Sequence, residues 1–335
     1  MLIKKIFNYS IVILSVFLTF YIYISANPYK FFQYGGAGFL DGSKQYYQSI
    51  KKEKTEDMTL VLGDSTGMAS FGSAIEDNII VLSLPSGTYI EAYYTLKRFI
   101  DEKYVPKNIV LLSMHMAYFQ KKKFLLYVKH FFRDYEFFEL EKNMEKYNSY
   151  PMLEESFLPN NLRVSFTYLS AKYHLFPLYI SEIQSGLKDL GNINEILNYH
   201  TARLIVKNKG TLREKVNYRE LNKNFYKKET YTSFVDGLKK SSIYNVYLSK
   251  ILSLASANNI KVFSTDLPVF ERDVDMFKEY FLLQRKYLED KREITFINFQ
   301  TDLQNKKYFR DDFHLNLKGS EVWYNGFKKE FSKYK

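Results

Sequence analysis

The chain of 335 residues contains no cysteine. Disulfide bonds, thiolate zinc sites and cysteine nucleophiles are therefore excluded. Histidine is scarce, with five residues, and the three in the middle of the chain have no carboxylate at ligand spacing: His130, His174 and His200. We therefore predict no metal site. The sequence also lacks a glycine-rich phosphate loop and a dinucleotide-binding fingerprint, so no cofactor is predicted.

Signatures of nucleic-acid binding are missing as well. The formal net charge is +11, but the lysines are scattered along the chain. No helix-turn-helix, zinc-finger or RNA-binding motif accompanies them, so nucleic acid is not a predicted partner. Hydrophobic residues make up 46% of the chain and aromatic residues 18%, which is ample for a packed core. The length fits one large domain, or one domain with a sizeable insertion.

The N-terminal segment has no charged side chain over Ile6–Tyr29. About 20 apolar residues are enough to span a bilayer as a helix. Lys4 and Lys5 precede the segment and predict that this end stays in the cytoplasm. A cleaved signal peptide is the alternative, but the apolar stretch is long for one, and a cut after Ala26 would place the bulky Ile24 where a small residue is preferred. We predict a retained single-pass anchor, with the rest of the chain outside the cytoplasm.

Short apolar runs alternate with stretches of helical spacing in the remainder of the chain. The runs predicted to be strands are Thr59–Leu62, Ile79–Leu84, Ile109–Ser113, Ile260–Ser264 and Ile294–Phe299. The predicted helices are Tyr89–Tyr104, Tyr244–Ala257, Phe277–Leu288 and Leu317–Phe331. This alternation indicates an α/β domain with a parallel sheet covered by helices on both faces. Reactive groups collect at the carboxyl ends of such strands.

The sequence divides into four predicted parts. Residues 1–29 form the transmembrane anchor and residues 30–57 a polar connector. The α/β domain comprises residues 58–118 and 235–335, and residues 119–234 form a mostly helical insertion rich in Tyr, Lys and Phe. Aromatic residues at helical spacing are interpreted as core. A lid over the active site or on the membrane surface is the alternative role of the insertion.

Two short motifs stand near the two ends of the α/β domain. Gly63-Asp64-Ser65 follows the first predicted strand directly, and Asp311-Asp312-Phe313-His314 comes after the last strand, just before the terminal helix. A serine at the mouth of a strand and a distant Asp/His couple supply the parts of a hydroxyl-nucleophile triad. Each motif is weak alone, but both occur in the structural context that the chemistry requires.

Together the two motifs resemble the SGNH (GDSL-like) hydrolase family, whose first block carries Gly-Asp-Ser and whose last carries Asp-x-x-His. The resemblance implies a three-layer α/β fold and a triad in which Ser65 is the nucleophile and His314 the base. It implies Asp311 as the residue that orients the imidazole, with Asp312 as the competing candidate.

The predicted oxyanion hole is less regular. The backbone N–H of Ser65, at a helix start, is one predicted donor. The family's second block implies Gly87 as another. The family's third block, Gly-x-Asn-Asp, is replaced by Leu112-Ser113-Met114-His115-Met116, without an asparagine. His115 then either donates in place of the asparagine or is a packed histidine at a strand end, which leaves two donors.

In lacking the third block, the sequence resembles divergent SGNH-like proteins that modify cell-surface polymers. These include alginate and peptidoglycan O-acetylation proteins and the D-alanyl transfer protein of teichoic-acid modification, several of which have a single N-terminal anchor. The resemblance implies an extracytoplasmic serine esterase or O-acyltransferase that acts on cell-envelope or exported glycans. Transfer would need an acyl donor, usually delivered by a multi-pass membrane-bound O-acyltransferase. A non-catalytic membrane-anchored scaffold or assembly protein that retains the fold is the alternative.

Overall fold

The centre of the molecule is a five-stranded parallel sheet with strand order β2-β1-β3-β4-β5. The computed structural model describes residues 2–26, 37–50, 58–74, 78–112, 131–147, 194–213, 218, 238, 242–268, 270, 275–301, 303 and 305–334. The strands are β1 (Thr59–Gly63), β2 (Ile79–Val81), β3 (Asn108–Leu112), β4 (Lys261–Thr265) and β5 (Ile294–Ile297). The α-helices are α1 (Leu2–Ala26), α2 (Ala37–Ile50), α3 (Ser65–Ser70), α4 (Tyr89–Asp101), α5 (Asp134–Lys146), α6 (Asn194–Lys207), α7 (Ile243–Ala257), α8 (Asp275–Glu289) and α9 (Leu317–Phe331).

The register of the sheet aligns the carboxyl ends of its central strands. Thr59 pairs with both Ile79 and Asn108, and Gly63 pairs with Leu112. All residues of β1, β2 and β3 are buried, as is usual for parallel strands covered on both faces. The predicted α/β class with a parallel sheet is confirmed. Strand β2 ends earlier than predicted, at Val81, although the chain beyond it still donates two backbone hydrogen bonds to β1.

Side chains from the two faces of the sheet form two separate cores. Alternate residues of β1 and β3 point to opposite faces, so Leu60 and Leu62 belong to one core and Val61 to the other. The first core packs against α4 and α7, with Tyr94 and Tyr247 fully buried. The second packs against α9. Helices therefore cover both faces of the sheet in three layers.

Helix α9 joins the end of the chain to the first strand–helix turn. Phe71, just after α3, makes edge-to-face contacts with Trp323 and Phe327, with ring centroids 5.3 and 5.2 Å apart. The Ser320 hydroxyl donates to the carbonyl of Ser70 at 2.9 Å. Strands β1 and β5 are separated by two other strands, but these contacts bring the segment after β5 back beneath β1.

Helix α2 lies in the segment that the sequence predicted as a polar connector. It packs against α6 at Gly42, where a Cβ atom would lie 2.7 Å from the Ile205 side chain and 2.9 Å from the Ala202 backbone. Glycine inside a helix lowers the helical signal of a sequence, and several polar neighbours weaken the pattern further. The buried side chains of α2 include Leu40, Tyr46 and Ile50, so this part of the connector contributes to the core.

Two helices of the insertion fall within the described residues, α5 and α6. Helix α5 is attached to α4 by a partly buried ion pair between Arg98 and Glu136, and the Tyr94 hydroxyl donates to the Glu136 carbonyl at 3.0 Å. Phe137 is fully buried, whereas Phe138 is 50% exposed. The core interpretation therefore fits α5. The lid alternative concerns the whole insertion, and residues 119–130 and 148–193 of it lie outside the described residues.

Helix α1 contains the apolar N-terminal segment. Its described side chains from Phe7 to Ile22 include many exposed apolar groups. Within the part of the chain that the structure describes, no helix is both long enough and apolar enough to cross a membrane.

Candidate active site

The turn between β1 and α3 places Ser65 at the carboxyl edge of the sheet. Gly63 has φ of +147°, and a Cβ atom there would lie 1.6 Å from the carbonyl oxygen of Leu112. Only glycine combines this backbone conformation with so close an approach. The next N–H, that of Asp64, donates to the same Leu112 carbonyl at 2.9 Å. The turn is thus fixed against β3, and Ser65 is the first residue of α3.

Asp64 holds the start of α3. Its carboxylate accepts hydrogen bonds from the Thr66 N–H at 2.8 Å and from the Thr66 hydroxyl at 2.5 Å. This is the geometry of a helix N-cap. The Asp residue of the Gly-Asp-Ser motif therefore shapes the turn that presents Ser65.

Ser65, His314 and Asp311 form a continuous chain of hydrogen bonds. Ser65 Oγ lies 2.7 Å from His314 Nε2, although 249 positions separate the two residues. His314 Nδ1 lies 2.7 and 2.9 Å from the two carboxylate oxygens of Asp311. Ser65 and His314 are partly exposed, and Asp311 is buried. A nucleophile, a base and a buried orienting carboxylate are thus within hydrogen-bond reach of one another.

The protonation state of Asp311 determines the tautomer of His314. Burial raises the pKa of Asp311, but the hydrogen bond and charge of His314 and the backbone N–H groups of Phe313 and His314 lower it more. The pKa therefore lies below its ordinary value of 3.8. Arg310 Nε, 3.9 Å from Asp311 Oδ2, adds a positive charge nearby. An ionised carboxylate only accepts hydrogen bonds, so Nδ1 carries a proton and neutral Nε2 can accept the proton of Ser65.

Asp312, the competing candidate, points elsewhere. Its carboxylate accepts a hydrogen bond from the Tyr218 hydroxyl, and its backbone carbonyl accepts one from the Phe270 N–H at 3.0 Å. Tyr218 also packs against Phe270, with ring centroids 5.6 Å apart. The structure therefore brings Asp311, and not Asp312, to the imidazole. No sequence signal links Asp312 to Tyr218, because Tyr218 belongs to the insertion.

The loop that carries Asp311 and His314 is fixed at both ends. The Arg310 N–H donates to the His314 carbonyl at 2.8 Å, and Phe309 pairs with Leu315 in an antiparallel bridge. Asn316 caps α9 by accepting from the Gly319 N–H at 3.0 Å, and it donates back to the Lys307 carbonyl at 2.8 Å. The buried side chains of Phe309 and Leu315 belong to the second core and anchor the loop to it. Such support holds the imidazole in place before substrate arrives.

The predicted oxyanion donors differ in their surroundings. The Ser65 N–H, at the first position of α3, has no acceptor among the described residues. The Gly87 N–H donates to the Leu84 carbonyl at 2.8 Å. In this conformation the Gly87 N–H is therefore already engaged, and its role as an oxyanion donor stays a prediction. Gly87 allows its loop to pass close to the nucleophile turn, because a Cβ atom there would lie 2.3 Å from the Gly63 carbonyl oxygen. His115 lies outside the described residues.

A capping box that sequence reasoning missed fixes the loop containing Gly87. Glu91 Oε2 accepts from the Thr88 N–H at 2.7 Å and from the Thr88 hydroxyl at 2.5 Å. The Thr88 side chain in turn caps α4 through the Ile90 N–H. The Thr-x-x-Glu spacing was the available signal. No cluster of three or more candidate metal ligands occurs among the described residues.

The lowered pKa of Asp311 predicts a loss of stability in acid. An unfolded aspartate has a pKa of about 3.9, so the folded state holds the carboxylate ionised to lower pH. The stabilisation is complete above the unfolded pKa and disappears as the pH falls through the folded one. The free energy of unfolding, measured with urea between pH 6 and pH 3, should fall less steeply with pH in Asp311→Asn than in the wild type. The same pH dependence in the variant and the wild type would contradict the prediction. Asp290→Asn, at an exposed position, is the control for removing one carboxylate.

No protein-family model matches the chain, and no curated protein is significantly similar to it in sequence. The function therefore has to be inferred from the site geometry and from the two motifs.

Proposed function

We propose that the protein is a membrane-anchored, extracytoplasmic serine esterase or O-acyltransferase that acts on cell-envelope or exported glycans. The observation that carries the proposal is the hydrogen-bonded chain from Ser65 Oγ through His314 to Asp311, with both imidazole contacts at 2.7 Å. A scaffold protein would have no use for a histidine aligned in this way between a partly exposed serine and a buried carboxylate.

The proposed chemistry has two halves. Ser65 Oγ attacks the carbonyl carbon of an acyl ester while its proton passes to His314 Nε2. The tetrahedral intermediate collapses, the ester C–O bond breaks, and the departing alcohol takes that proton from His314. Water or a sugar hydroxyl then attacks the acyl-Ser65 ester, again giving its proton to His314, which returns it to Ser65. Asp311 stabilises the imidazolium in each half, and the Ser65 N–H is placed to donate to the oxyanion.

Membership of the SGNH superfamily is part of the proposal. Three features support it: a nucleophile directly after the first strand, an Asp-x-x-His loop directly before the last helix, and a parallel sheet with helices on both faces. The third block departs from the family pattern. Its replacement at His115 and the engaged N–H of Gly87 leave Ser65 as the best-supported oxyanion donor.

The anchor and its orientation also remain proposals. They are supported by the uncharged stretch Ile6–Tyr29 and by Lys4 and Lys5 before it. Exposed apolar side chains along α1, such as Leu14 at 69% and Phe17 at 53%, would be covered by lipid in this arrangement. A multi-pass membrane-bound O-acyltransferase is the proposed source of the acyl group if the reaction is a transfer.

A partition experiment tests the function. The full chain in detergent micelles is given 4-nitrophenyl acetate as donor, with and without a glycan oligosaccharide as acceptor. We expect release of 4-nitrophenol in both cases, with part of the acetyl group diverted to the oligosaccharide when it is present. Acetate release unaffected by any acceptor would identify an esterase. Absence of both products would favour the scaffold alternative and contradict the proposal.

A further inference from the structure

A groove of about 830 Å³ runs along the outer face of α7. It lies on the layer of the molecule opposite α9, away from the core that supports the His314 loop. Its lining side chains on α7 extend from Asn245 to Ala257, which corresponds to about 18 Å of helix at 1.5 Å per residue. The groove is therefore long enough for several consecutive units of a polymer.

The direction of α7 relates the groove to the edge of the sheet that carries Ser65. Helix α7 leads through a short connection into β4, so its C-terminal end lies near the start of that strand and its N-terminal end near the carboxyl edge. Lys291, which shortly precedes β5, lines the other end of the groove. A chain bound along α7 would thus extend from the catalytic edge toward the opposite edge of the sheet.

The charge of the groove favours an anionic occupant. Its lining contains two lysines, Lys250 and Lys291, and no carboxylate. Lys250 Nζ lies 4.8 Å from the ring centroid of Tyr247, and Lys291 Nζ lies 4.8 Å from that of Tyr287. These ring contacts hold both ammonium groups in place. Glu139, just outside the lining, pairs with Lys250 at 2.5 Å and is the carboxylate that an anionic ligand would displace.

The remaining lining suits sugars better than other polyanions. Tyr93 and Tyr147 contribute aromatic rings to the lining, each with one lysine ammonium 5.3 Å from its centroid, and the C–H face of a pyranose ring can pack against such rings. Ser249 and Ser253 are exposed lining residues one helical turn apart, and they offer hydroxyl groups to sugar hydroxyls. Ser249 donates its own proton to the Asn245 carbonyl at 3.0 Å, so its oxygen remains able to accept.

We propose that this groove binds a carboxylate-bearing glycan chain and presents it to the Ser65 site. The inference rests on the function proposed above and names the acceptor polymer as an acidic glycan. The lysines supply charge and the tyrosines and serines supply the sugar-specific contacts.

Binding is best measured with the full chain carrying Ser65→Ala, because turnover then cannot consume the ligand. The probe is a galacturonic acid hexamer, compared with a neutral glucose hexamer of the same length by titration calorimetry. We expect the acidic hexamer to bind more tightly. Lys250→Gln and Lys291→Gln should each weaken it about fivefold, the scale of one exposed charge contact. Lys333→Gln, an exposed lysine paired with Glu330 at the C-terminal end, should leave the affinity unchanged.

A variant that is expected to increase the affinity distinguishes a loss of binding from a folding defect. Glu139→Gln removes the carboxylate that competes for Lys250, so the acidic hexamer should bind more tightly than to the parent chain. A merely damaged groove would not give that gain. Equal affinity for both hexamers, or insensitivity to the lysine variants, would overturn the proposal.

Two further probes address other polyanions. A thymidine hexanucleotide and phosphatidylglycerol vesicles should bind more weakly and respond less to Tyr147→Ala than the acidic hexamer does. If either binds as tightly through the same residues, the glycan assignment is wrong. Binding of the acidic hexamer by a wild-type chain that cleaves no ester would refute the proposed function alone, and ester cleavage without hexamer binding would refute the groove alone.

Discussion

Ser65→Ala is expected to reduce ester turnover by about 10⁴- to 10⁶-fold, because the acyl group loses the atom to which it becomes attached. A fluorophosphonate probe should label the wild-type chain and fail to label the variant. The reason is geometric: Ser65 Oγ is 2.7 Å from His314 Nε2, the atom positioned to take its proton. The measurement is initial rate with 4-nitrophenyl acetate, together with probe labelling on a gel.

The matched control for this prediction is Ser86→Ala. Ser86 is an exposed serine on the loop after β2, and it makes no contact with His314 among the described residues. We expect this variant to keep its turnover and its labelling. Labelling that survives Ser65→Ala but disappears in the control would mean that the wrong serine has been assigned.

The second large effect concerns the couple on the last loop. His314→Ala removes the base, and Asp311→Asn places an amide where the imidazole needs a carboxylate, which in a triad costs on the order of 10⁴-fold in turnover. Asp312→Asn should keep most of the turnover, because the new amide oxygen can still accept the hydrogen bond of Tyr218. The test is to measure the steady-state rates of the three variants, with thermal melting to check that each one is folded. A greater loss in Asp312→Asn than in Asp311→Asn would show that the orienting residue is misassigned.

The strand–helix alternation of the fold was readable from the sequence because the strands are short, apolar and bounded by turn residues. Helix α9 was predicted with its observed bounds, Leu317–Phe331, since its aromatic side chains recur at helical spacing. Helix α2 was not predicted. Its packing depends on the close approach of α6 at Gly42, a contact between distant segments that no local pattern encodes.

The candidate site was readable only as a set of residue types. Motif order placed Ser65 and the Asp311/His314 loop on one edge of the sheet, but left two aspartates for one role. The choice depends on the 310–314 turn, which directs the Asp311 carboxylate toward two backbone N–H groups and the imidazole. For Gly87 the position beside the nucleophile turn was predictable, because it follows from the order of the strands. The hydrogen bond from its N–H to the Leu84 carbonyl was not predictable, because it depends on the exact loop conformation.

The measurement that tests the central claim most directly is the trapping of the acyl-enzyme. The full chain is mixed with 4-nitrophenyl acetate, quenched in acid within the first turnovers, digested and examined by peptide mass spectrometry. The proposed mechanism predicts one acetyl group, on Ser65, that is absent from His314→Ala and from chain unfolded before mixing. Ester cleavage by the native chain with no acetyl group on Ser65, or with acetylation at another residue, would contradict it.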